Sequence, residues 1–258
     1  MAREHTVVKG IVLRENDSKE SDKILTVLTN EMGKIPVVAK GARSRRSKVT
    51  AATQLLAYSE MVLSESHGWQ YLIEASTIEL FDGVRTDVEL LSLGSYFAEL
   101  VDYVTTDDAE ASELLSLLLN ALYALGTLHR PQELVKAAFE LRLMAQIGFE
   151  PLLDGCCVCG TEIPVEPVLD LQGGTLLCRA CAGGGQITPL PPGALQACRH
   201  VLYGDPKRLY SFALQERDLT CFSHAAEQYM NAMLDRKFHT LDFYKSLRRY
   251  TAQTKFDN

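Results

Sequence analysis

No apolar run in these 258 residues approaches the roughly twenty needed to cross a bilayer, which argues against a helical membrane protein. The opening Met1-Ala2-Arg3-Glu4-His5 has no apolar core of a secretory leader, so a cytoplasmic protein is expected. Seven cysteines in that setting point to thiols that bind metal instead of pairing as disulfides. There is no P-loop, no G-x-S-x-G and no dinucleotide fingerprint. The histidines (His5, His67, His129, His200, His224, His239) are scattered, none with a second ligand at metal spacing, and read as packing or surface. Asp87-Glu89 and Asp107-Asp108 fall at a helix start and an interhelical turn, where capping and solvation explain them. With no catalytic constellation, a non-enzymatic role is expected.

Acidic residues are missing from one stretch in particular. From Met32 to Leu55 there are six basic residues and no acidic one, although the chain carries a net charge of −7. From Phe81 to Glu150 four basic residues face twelve acidic ones, and beyond Asp235 the balance turns basic again. Such asymmetry suggests a polyanion site at one end and an acidic body elsewhere.

The most specific local pattern is Cys156-x-x-Cys159 answered by Cys178-x-x-Cys181, with eighteen residues between the knuckles. That spacing suits a four-cysteine zinc site. Two thiolates three residues apart can turn back on one ion, and four of them leave no open position for water. One structural zinc ion is therefore expected. Gly160 and Gly173-Gly174 supply the turns such a ribbon needs. A redox C-x-x-C or a pair of disulfides would not account for two matched knuckles. Cys157 reads as a bystander, and Cys198 and Cys221 as small apolar residues of helices.

Residues 5–80 read as β structure. Strands are expected over 5–14, 22–29, 34–40, 57–66 and 70–79, with turns at Glu15-Asn16-Asp17-Ser18, Asn30-Glu31-Met32-Gly33 and His67-Gly68. Five short strands with a long third connection suit a small OB-type barrel; an SH3-like barrel is the competing fold. From Thr86 the apolar period becomes helical, through three helices that end at Gly148, with Pro131 opening the third. After a Gly- and Pro-rich loop, helices are expected near 193–203, 205–213 and 219–236. A partly ordered basic tail is expected to follow.

The loop Lys40-Gly41-Ala42-Arg43-Ser44-Arg45-Arg46-Ser47-Lys48 is the candidate phosphate-binding element. Cations on a mobile loop can fork onto phosphates and release counterions. Lys34, Lys40, Arg43, Arg45, Arg46 and Lys48 are its candidate DNA-contacting residues. Trp69, Tyr58 and Tyr71 on the later strands could stack on bases, although core or edge packing explains each more readily.

The order of parts resembles the bacterial RecO family of recombination mediators over essentially the whole chain. The match is carried by Gly10-Ile11-Val12-Leu13, Glu20-Ser21-Asp22-Lys23-Ile24, Thr29-x-x-x-Gly33-Lys34 and Ala39-Lys40-Gly41-Ala42-Arg43. It continues through Gly148-Phe149-Glu150-Pro151-x-Leu153 into the cysteine knuckles. Ser18 stands where many members carry an aromatic residue, and Cys157 is outside the usual pattern. The resemblance implies an α+β chain: an OB-fold DNA-binding domain over 1–80, an α-helical domain over 81–258, and an inserted zinc ribbon at about 152–185. It also implies binding of single- and double-stranded DNA, annealing of complementary strands, and work with RecR to load RecA onto gapped DNA covered by single-strand-binding protein. The helical body would receive that protein's acidic C-terminal tail. The implied setting is the bacterial cytoplasm, at the nucleoid. Two rival readings remain at this point: a zinc-ribbon scaffold or regulator without a direct DNA role, and a nuclease using the carboxylates set aside above.

Overall fold

In the computed structural model, residues 5–106 and 111–254 are described. The Asp107-Asp108 pair, the first four residues and Lys255 lie outside them. Five strands close a barrel: β1 (His5–Ser18), β2 (Asp22–Thr29), β3 (Lys34–Ala39), β4 (Tyr58–Ser66) and β5 (Trp69–Glu79). Their order around it is β1-β2-β3-β5-β4, and β4 pairs back onto β1. All pairings are antiparallel except the short parallel closure of β3 on β5, Val37 opposite Gln70 and Val38 opposite Tyr71. This is the OB topology.

The alternating pattern of the strands sends Val8, Val12, Leu25, Val27, Val37, Ala39, Met61, Leu63 and Leu72 inward to one cluster. The strand β1 runs four residues further than expected, through the anticipated turn at 15–18. A bulge between Val12 and Arg14 bends it, so its first half pairs with β4 and its second with β2. The turn falls instead at residues 19–21.

The chain divides into two compact units. The first comprises Met1–Thr127 and Phe238–Asn258, so it holds the barrel, α1 (Asp82–Arg85), α2 (Val88–Val104), α3 (Ser112–Gly126) and α7 (His239–Thr254). Asp87 caps α2 as the sequence suggests, its carboxylate accepting from the N–H groups of Glu89 and Leu90 at 2.8 and 3.1 Å. The expected basic tail is a regular helix, α7, packed on α2. Phe238 lies edge-on to the rings of Tyr96 and Tyr103, at 6.0 and 5.8 Å between centroids.

The second unit spans Leu128–Lys237. It holds α4 (Gln132–Gln146), α5 (Pro192–Tyr203), α6 (Glu216–Leu234) and a sheet of β6 (Pro167–Asp170), β7 (Thr175–Cys178) and β8 (Ile187–Pro189). Two expectations fail here. No α-helix forms over 205–213; Asp205 caps a single 3₁₀ turn at Pro206–Arg208, and irregular chain follows. The supposed loop before α5 contains β8, a short strand held by β6, whose central Thr188 is buried in register with Leu169. Pro131 stands just before α4 as its cap residue, not inside it.

Candidate nucleic-acid interface and metal centre

The knuckles of the ribbon come together. The Sγ atoms of Cys156, Cys159, Cys178 and Cys181 all lie within 4.8 Å of one another, and Cys159 and Cys178 are 3.8 Å apart. Four thiolates on a tetrahedral ion at about 2.3 Å would stand about 3.8 Å apart, so this donor set and spacing fit zinc. The first knuckle turns through the Gly160 N–H onto the Cys156 carbonyl at 2.8 Å, with Gly160 at φ +74, a left-handed conformation that disfavours a side chain. The second turns through Cys181 and Ala182 onto the Cys178 carbonyl. Backbone N–H groups of Cys159 and Cys178 aim at Cys156 and pull its thiol down to about 6, so one thiolate is already favoured. Hydrogen bonding from Cys159 and burial push Cys181 up to about 12, and burial also raises Cys178. The thiols thus compete for protons that a bound cation would displace. Cys157 points elsewhere, its thiol 3.5 Å from the Thr175 hydroxyl.

The basic loop is not slack. Ala42 is fully buried in the barrel core, and Gly41 at φ +63 donates its N–H to Asp22 at 2.8 Å. Turns at Ser44 and Ser47 follow, and Thr50 bonds back to the Ala42 carbonyl. The glycine therefore serves an anchored turn and not mobility. On that frame Arg45, Arg46 and Lys48 are exposed and make no ion pair among the described residues.

The other three cations are engaged. Arg43 pairs with Asp17 at 3.1 Å, although both side chains remain largely exposed. The Lys40 ammonium lies 4.7 Å from the centre of the Tyr71 ring. Lys34 departs most from expectation. It is largely buried, bonded to the Asp102 carbonyl at 2.7 Å and paired with its carboxylate at 3.3 Å, so it ties β3 to α2 and is not presented to solvent.

The three aromatics do not form one platform. Trp69 and Tyr71 alternate on one side of β5, where Trp69 is 46% exposed, and Tyr71 adjoins Lys40. Tyr58 begins β4 and pairs with Glu79 at the other end of the hairpin, about 26 Å away at 3.3 Å per residue. Burial and the nearby Glu31 carboxylate raise its phenol pKa, and an acidic neighbour is a poor setting for a phosphate strand.

Two features escaped the sequence reading. Lys136 is buried between Glu140 and Glu227, at 2.8 Å from each, an ion triad no spacing rule flags because Glu227 is 91 residues away. A cavity of about 570 Å³ lies between the ribbon and α6. Pro164, Pro167, Pro189 and Pro191 wall it, with Arg179 and Arg217 at its lining and Glu166 as the only acid. The run of prolines was the available signal. No helix among the described residues is long and apolar enough to cross a membrane.

A closed five-stranded OB barrel with a cationic loop, in a chain that also carries helices and a four-cysteine ribbon, defines a multi-part OB-fold protein with a candidate metal centre. Comparison with known proteins narrows the class. Residues 1–81 match the family model described as Recombination protein O N terminal, and residues 85–242 match Recombination protein O C terminal. The chain is 32% identical over 241 residues to the DNA repair protein RecO of Acetivibrio thermocellus, covering 93% of this chain and 96% of that one. It is 32% identical over 249 residues to RecO of Symbiobacterium thermophilum, with 93% and 97% covered. Against RecO of Heliobacterium modesticaldum it is 35% identical over 207 residues, with 78% and 75% covered. The chain belongs to the RecO family of DNA repair proteins.

Proposed function

We propose that this protein is a non-enzymatic recombination mediator. It binds single- and double-stranded DNA through the barrel, anneals complementary strands, and acts with RecR to load RecA onto gapped DNA covered by single-strand-binding protein. The observation that carries the reading is the set of exposed cations Arg45, Arg46 and Lys48 on an anchored barrel loop, which make no ion pair among the described residues. Neutralising phosphates on two strands lowers the repulsion that opposes pairing, and the entropy of released counterions drives binding. Arg43 joins them by leaving Asp17, Lys40 and Tyr71 extend the surface along β5, and Trp69 offers a base platform. Lys34 and Tyr58 are left out of this surface on their placement.

The four cysteines hold one zinc ion in this reading, which keeps the ribbon folded and takes no part in chemistry. The acidic, apolar-ended tail of single-strand-binding protein finds complementary chemistry in the proline-walled cavity between Arg179 and Arg217. The protein works in the bacterial cytoplasm, at the nucleoid.

Anisotropy of a labelled single-stranded oligonucleotide tests the central claim. Arg45→Glu/Arg46→Glu/Lys48→Glu should lose most affinity, and the plot of log K against log salt should flatten by about two units. Equal binding by wild type and variant would sink the loop as the DNA site.

A further inference from the structure

The helix α7 has two unlike faces. Leu241 and Tyr244 are buried, and Leu247 and Thr251 continue that side half-buried. The opposite side carries Phe243, Ser246, Arg249 and Tyr250, all exposed. Phe243 is 55% exposed and Tyr250 68%, the two most exposed aromatic rings of Phe, Tyr or Trp type among the described residues. They are seven residues apart, so they stand on one stripe separated by about 10 Å. Arg249 immediately precedes Tyr250, on the exposed side next to the ring stripe, and its Nε donates to the Lys245 carbonyl at 3.3 Å. From His239 to Thr254 the cations Lys245, Arg248 and Arg249 face one acid, Asp242, in a chain of net charge −7.

We propose that this outer face of α7 is a second binding surface for single-stranded nucleic acid, distinct from the barrel loop. Bases stack on Phe243 and Tyr250 while Arg249, on the exposed side next to them, takes a phosphate. Charge decides the occupant. Exposed rings flanked by an exposed cation match a strand that offers both π-faces and anions. A lipid surface would need aliphatic side chains on this face, and the helix spends Leu241 and Leu247 on the packed and half-buried side. Because α7 belongs to the same compact unit as the barrel, one unit would then hold two strands at once. The inference rests on the reading of the chain as a strand-annealing protein.

Trp69 is the only tryptophan, so a full-length Trp69→Phe/Phe243→Trp protein carries its one indole on α7. It is titrated with oligothymidine while emission and the anisotropy of the labelled oligonucleotide are followed together. Saturable quenching that Arg249→Glu removes is the expected result. Anisotropy that rises with no quenching leaves the DNA-binding reading standing and overturns the α7 surface. No rise in anisotropy with either this variant or the unsubstituted protein overturns both. Quenching by a polyglutamate peptide but not by oligothymidine reassigns the face to an acidic protein and also overturns the inference.

Discussion

Lys34 and Asp102 join the barrel to the helix beside it. The ammonium reaches both the carboxylate and the backbone carbonyl of Asp102, at 3.3 and 2.7 Å, with both side chains largely buried. A cation so engaged holds structure and has little left for phosphate. Lys34→Met should therefore lower stability by about 1–3 kcal/mol by leaving the Asp102 groups less satisfied. Affinity for single strands should stay within two-fold of wild type. Urea unfolding and anisotropy on the same preparation check both halves.

The aromatics should separate by place. Trp69→Ala should weaken single-strand binding by about 1–3 kcal/mol, the usual range for loss of one stacked base. Tyr71→Ala should weaken it too, by freeing Lys40 from the ring that positions it. Tyr58→Ala, at the far end of the hairpin beside Glu31, should leave affinity unchanged. Fluorescence of the single tryptophan on strand binding offers an independent readout for the Tyr58 and Tyr71 changes.

Elemental analysis should find one zinc per chain. Cys178→Ser removes a buried donor from the cluster and should abolish stoichiometric metal, with a melting temperature lower by roughly 5 °C or more. Cys157→Ser should change neither, because that thiol lies outside the cluster. Equal metal loss in both variants would overturn the assignment of ligands.

Burial alone would lower the pKa of Lys136, but Glu140 and Glu227 outweigh it and raise it above 10.5. A folded value above the unfolded one means the stabilisation is complete below pH 10.5 and is lost as pH climbs through the folded value. Stability should thus be insensitive to this lysine near neutrality. Lys136→Met should cost about 3–5 kcal/mol, since it removes the buried cation that both carboxylates share. Lys136→Met/Glu140→Leu should recover part of that loss in chemical denaturation.

Local patterns were legible in the sequence, and distant pairings were not. The cysteine knuckles and the strand alternation of Leu25, Val27 and Met61 declare themselves within a few residues. The partner of Lys34 lies 68 residues along the chain, and no charge count distinguishes a tethered lysine from a free one. The three residues of β8 are a strand only because β6 is beside them. In α7, Phe243 and Tyr250 put rings on the outer side and blurred the apolar stripe of Leu241, Tyr244 and Leu247. The opposite ends held by Tyr58 and Trp69 follow from the hairpin turning at His67-Gly68, which the sequence did signal.

The return of α7 to the first unit sets an order of events during synthesis. The barrel and α2 leave the ribosome early, but Phe238, which packs on Tyr96, is made only after the whole second unit. At about 5–20 residues per second that interval lasts roughly 5–20 s. Throughout it the Phe238 contact on Tyr96 is missing, while the four cysteines of the ribbon are complete about midway, at Cys181. Transiently uncovered apolar surface is what makes a nascent chain prone to aggregation, and a chaperone that shields α2 would act in that window.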